Sequence, residues 1–287
     1  MDKTFWHDII KNDYAVPDGH TVAGLTSELL GFLGETDSAL RDEISYMILA
    51  HWITRDKLYS PAELRSMIVT LTANLETGIG EQGTDSVLLR SFSALSLSLI
   101  VYHDMEADFL SDDEVRDLLN KTLVYLAAEQ DVRGYVEGLG WVHAVAHTAD
   151  LLKFLARHPR TDAGDHTRIL TAITDKLSAP IKHVYIHDED ERLVLVVREI
   201  IKRGSLNFIA WQGWLASFRE WKDRHSDVPG FVVTVHAGYS NLKNFLRSLY
   251  FMVDSIADDS VDAKLMLDDI KAKVRYYSMS IEYTESS

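Results

Sequence analysis

Helix-starting chemistry recurs along this chain, while the strict alternation that builds a strand is almost absent. Residues 60–63, Ser-Pro-Ala-Glu, form a capping box with proline at the first helical position, and Leu64, Ile68, Leu71 and Leu75 follow at helical spacing. Residues 111–114, Ser-Asp-Asp-Glu, form a second box ahead of Val115, Leu118, Leu119, Leu123 and Leu126. Further helices are expected over 166–179, stopped by Pro180, and over 189–203, stopped by Gly204. Others are expected over 207–224, 241–257 and 261–281. Only residues 231–235, Phe-Val-Val-Thr-Val, are β-branched enough to suggest a strand. Five prolines and fifteen glycines are too few for the many tight turns of an all-β protein. The fold class read from the sequence is all-α.

Self-similarity refines that expectation. Residues 36–41, Thr-Asp-Ser-Ala-Leu-Arg, are echoed by residues 84–90, Thr-Asp-Ser-Val-Leu-Leu-Arg, and the two aspartates are 48 residues apart. A weaker echo, residues 188–193, lies about two periods further on. HEAT and armadillo arrays repeat about every 40–47 residues, and each hairpin buries one face on its neighbours. The expectation is one HEAT/armadillo-like helical-hairpin repeat domain, an α-α superhelix over residues 1–287, with no linker.

Charge and composition limit the partners. The net charge of −15 would repel a phosphate backbone, so no nucleic acid is expected. The absence of cysteine removes disulfides, thiol catalysis and cysteine-ligated zinc or iron–sulfur sites. The first residues lack an apolar signal region, and no apolar run approaches ~20 residues, so a cytoplasmic protein with no membrane span is expected.

The chemistry concentrates in residues 133–152. Three glycines, Gly134, Gly138 and Gly140, mark a loop, and a helix is expected to start near Trp141. On such a helix His143, His147 and Asp150 would lie within about 60° of one another, one polar stripe over two turns. Histidine and carboxylate at these spacings suit a divalent metal such as zinc, with Glu137 as a fourth group. Ala144 follows the first histidine, so this is not the HExxH metalloprotease pattern. The same stripe can instead be internal, its histidines bonded to a neighbouring repeat and Asp150 locking an arginine. Trp141 reads as a packing residue rather than a ligand stacker.

The run Gly-Trp-Val-His-Ala-Val-Ala-His-Thr-Ala-Asp-Leu-Leu, residues 140–152, closely resembles the core of a bacterial family, domain-of-unknown-function family 2785. The resemblance extends over most of the chain, through residues 17–20, 40–42, 79–81, 84–87, 90–95 and 188–193. It implies a helical fold and nominates Arg90, Arg133, Glu137, Trp141, His143, His147, Asp150, Glu191 and Arg192 as one cluster, without implying an activity.

Other constellations carry less. His103-Asp104 resembles the doublet of HD-type phosphohydrolases, with His51 and Asp150 as the further members such a site needs. His183 and His187 read as a solvated loop, and the Trp211, Trp214, Phe218 and Trp221 stripe reads as core. No GxGxxG, Walker A or GxSxG sequence is present. The leading expectation is a binding module that presents the His/Asp/Glu cluster in a concave groove to a peptide, protein or small polar ligand. The alternatives are a metal-dependent hydrolase holding its ion on His143, His147 and Asp150, and a purely structural assembly protein.

Overall fold

Caps set where the helices begin. In the computed structural model, which describes residues 1–226, 230–258 and 261–278, both boxes form as read. Ser60 and Ser111 each accept from the backbone N–H three residues on, while Glu63 and Glu114 reach back to the cap. Asp162 makes a third box with Asp165, and Asp2, Thr21 and Asn207 cap three further helices. The chain condenses into two compact units, Met1–His158 and Pro159–Ser287.

The first unit runs through α1 (Lys3–Lys11), α2 (Val22–Phe32), α3 (Met47–Ala50), α4 (Pro61–Asn74), α5 (Ser86–Ala107), α6 (Asp112–Ala128) and α7 (Ala144–Arg157). Wide π-helical turns, Ala39–Tyr46 and His51–Arg55, flank α3. A two-stranded hairpin, β1 (Tyr135–Val136) and β2 (Gly140–Trp141), stands before α7. Helix α5 is the core of this unit, buried from Val87 to Asp104 almost without interruption and packed on α4 and α7. Among the described residues it is the one helix long and apolar enough to cross a membrane by length and composition, and 83% of that window is buried. A helix apolar on every side belongs inside protein, and this one also carries Arg90, His103 and Asp104 inward.

The second unit comprises α8 (Ala163–Leu177), α9 (Glu189–Arg203), α10 (Phe208–His225), α11 (Val233–Ile256) and α12 (Val261–Ser278). Gly204 ends α9 in the left-handed conformation, as expected of a glycine past a helix end. Trp211, Trp214, Phe218 and Trp221 are all buried, so the aromatic stripe is core. The Trp214 indole N–H donates to Thr174 Oγ1, which satisfies its one polar atom.

All-α is therefore the fold class, with three corrections of detail. Residues 231–235 form no strand: 233–235 open α11 and 231–232 lead into it. The helix expected over 261–281 is present to Ser278, and its last three residues lie outside the described ones. The helix expected near Trp141 starts at Ala144 instead, because residues 135–141 pair as a hairpin.

Candidate functional site

The hairpin is held from beneath. The Arg41 guanidinium, fully buried, donates to the carbonyls of Leu139 at 2.7 Å and Glu35 at 2.7 Å. Gly140 has φ +78°, and a Cβ there would lie 3.3 Å from Arg41 Nη2 and 3.2 Å from Ser38 Cβ. Glycine is demanded twice at this position, by conformation and by approach. The ladder continues past the strands, since Val142 and His143 donate to the carbonyls of Gly134 and Arg133.

His143 then turns the chain into α7 with φ +47°, the one buried non-glycine residue of positive φ among those described. That conformation costs on the order of 1–3 kcal/mol and is held only by its surroundings. Those surroundings are a ladder of rings. Trp141 stacks on His143 with centroids 4.3 Å apart, and His143 meets the edge of His147 at 5.8 Å. His147 meets Phe92 at 4.8 Å, and the Arg41 guanidinium lies over the Phe92 ring, 4.8 Å from its centroid. At the outer end Tyr135 packs edge-on against Trp141 at 5.2 Å. Burial falls steadily outward: Arg41 is inaccessible, the histidines are buried, and Trp141 and Tyr135 are 41% and 52% exposed.

One proton in the ladder is assigned by its bonds. Ser91 Oγ donates its only hydrogen to the Val142 carbonyl, so at 2.8 Å it accepts from His147 Nδ1–H. Neutral His147 thus carries its basic lone pair on Nε2, in an orientation set by Ser91.

The other nominated residues divide. Arg90 makes a two-pronged ion pair with buried Glu129, at 2.6 and 3.0 Å, and its third nitrogen holds the carbonyls of Thr77 and Gly78. Burial opposes the charge on Arg90, but Glu129 outweighs it and holds the guanidinium pKa above its ordinary value. Arg133 pairs with Asp131 at 2.7 Å and donates to the Thr84 carbonyl. Asp131 in turn accepts from the Gly83 N–H. These two arginines pin the loop before α5; they are buttresses. Glu137 is exposed in the hairpin turn. Asp150 is buried and ion-paired with Lys153 at 3.0 Å. Glu191 and Arg192 belong to the second unit, where they line a cleft of about 450 Å3 with Ser248 and Phe251.

The metal reading places His143, His147 and Asp150 together on one helix, but α7 begins only at Ala144. His143 precedes the helix and stacks on Trp141, His147 Nδ1 is committed to Ser91, and Asp150 to Lys153. Among the described residues no three His, Asp or Glu side chains stand together as an ion would require. The HD-type set is not assembled either. Asp104 pairs with His158 at 3.0 Å and caps the turn at Phe109 and Leu110, whereas His51 stacks on Tyr14 at 3.5 Å. Trp141 is corrected from packing residue to half-open ring. Sequence reasoning missed Arg41, Ser91, Phe92 and Tyr135; the echoed Leu-Arg of residues 36–41 and 84–90 was a signal for the first, since Arg41 and Arg90 both clamp backbone carbonyls.

The profile of the family described as "Protein of unknown function (DUF2785)" matches residues 75–251. The chain belongs to that family. The match takes in α5, the hairpin, α7 and the Glu191/Arg192 cleft. No curated protein and no solved structure matches the chain.

Proposed function

We propose that this DUF2785 protein is a helical binding module whose recognition element is the 135–141 hairpin, and that it takes cationic side chains of a peptide or protein partner onto Trp141. The observation that carries the reading is the mounting of that ring. Trp141 is 41% exposed and is stacked on His143 at 4.3 Å, so part of the ring surface reaches solvent while the ring is braced. A tryptophan face attracts an ammonium or guanidinium, by about 0.5–2 kcal/mol according to desolvation. Glu137 in the adjoining turn and the net charge of −15 favour the same sign of partner. A repeat-type superhelix is part of this proposal, supported by packing of alternate helices, α5 on α7, α9 on α11 and α10 on α12.

Fluorescence anisotropy with a labelled lysine- and arginine-rich peptide tests it. Trp141→Ala is expected to weaken binding roughly two- to thirtyfold. Salt is expected to weaken it further, and a glutamate-rich peptide of equal length should not compete. Equal affinity of Trp141→Ala and wild type for the basic peptide would overturn the reading.

A further inference from the structure

Away from the hairpin, the first unit holds a cleft of about 560 Å3 between α2 and α4, in the size range of small-molecule sites. Its floor is aliphatic, from Leu30, Met67 and Leu89, and its wall is polar, from Thr26, Tyr59, Glu63, Thr70 and Asn74. The direction of each wall hydrogen bond fixes what that wall can offer.

Thr26 Oγ1 donates its one hydrogen to the Val22 carbonyl at 2.7 Å. At 2.8 Å it therefore accepts from the Tyr59 hydroxyl, whose hydrogen is spent in turn. Burial pushes the Tyr59 phenol well above its ordinary pKa, so the ring stays protonated and keeps donating inward. Thr70 spends its hydrogen on the Ser66 carbonyl. Asn74 gives an N–H to Ser93 and keeps its carbonyl oxygen. Glu63 only accepts, and its bonds from the Ser60 hydroxyl and backbone N–H hold its pKa below the ordinary value. The wall thus offers the lone pairs of Tyr59, Thr70 and Asn74 and one ionised carboxylate at its end, beside the hydroxyls of Ser27 and Ser66 and the second Asn74 N–H.

We infer that this cleft binds an aliphatic ammonium, whose methylenes lie on Leu30, Met67 and Leu89 and whose N–H groups are received by Tyr59, Thr70 and Glu63. An ammonium brings three donors and a positive charge to these lone pairs and to the Glu63 carboxylate, whereas a carboxylate or phosphate would be repelled by that charge. The group can come from a free diamine or from a lysine side chain, and the two sources share the same chemistry.

Titration calorimetry of the whole protein with 1,5-diaminopentane, Nα-acetyl-lysine amide and 1,5-pentanediol distinguishes the cases. Binding of the diamine or of the lysine derivative, and not of the diol, is the expected result, and whichever binds names the source. Glu63→Gln keeps the capping box, because glutamine serves at that position, yet removes the charge; a loss of at least about tenfold is expected. Thr70→Val, at an exposed position that leaves folding intact, should cost about threefold. Equal binding of diol and diamine, no binding of either amine, or undiminished affinity in Glu63→Gln would each overturn the assignment.

Discussion

Arg90 shows how much of this molecule rests on single buried charges. Its guanidinium is inaccessible, and Glu129 beside it is 2% exposed, so neither ion can recover hydration if its partner is lost. Breaking such a pair typically costs about 3–5 kcal/mol, because the remaining charge stays buried. Glu129→Ala is therefore expected to lower stability by about that amount in urea titration, and a change below about 1 kcal/mol would show the pair to be dispensable. Asp104 makes the same case with a pH signature. Burial alone would raise its carboxyl pKa, but His158 and the N–H groups of Phe109 and Leu110 outweigh burial and hold it below 3.8. A depressed carboxylate contributes its stability above the unfolded value and loses it as pH falls through the folded one. Asp104→Asn should therefore be less stable than wild type at neutral pH, with the gap closing as acid is taken below 3.8. Urea unfolding at several pH values checks this, and a gap that stays constant into acid would refute the assignment.

At the scale of an element, the hairpin depends on a contact with residues almost a hundred positions earlier. Gly140→Ala places a methyl group against Arg41 and Ser38 in a backbone of φ +78°. A loss of about 1–3 kcal/mol is expected, with a weakened near-ultraviolet signal from Trp141. Differential calorimetry and circular dichroism give the two readings, and an unchanged melting temperature would show that the pin does not matter. This also explains what was legible beforehand. The boxes at Ser60 and Ser111 could be read because a cap and its partner lie three residues apart. The hairpin could not, because two-residue strands leave no alternation, and what aligns them is Arg41 on Leu139. The π-helical turns around α3 were equally silent, as a widened turn keeps the composition of an ordinary helix. Of the site, Trp141, His143 and His147 were found from one short glycine-rich run. Their supports Ser91 and Phe92 sit on α5 and become neighbours only once α5 and α7 pack.

For the molecule as a whole, the division after His158 decides what can be separated. Every group assigned to recognition, from Thr26 and Tyr59 to Trp141 and His147, lies in Met1–His158. That unit has its own core in α5, and the buried Arg90–Glu129 pair, the half-buried Arg133–Asp131 pair and the buried His158–Asp104 hydrogen bond close within it. A fragment of residues 1–158 is therefore expected to unfold cooperatively and to bind the basic peptide within about threefold of the full chain. Melting of the fragment followed by the same anisotropy titration measures both. A fragment that folds but does not bind would move recognition to residues 159–287, where the cleft of Glu191 and Arg192 then becomes the place to look.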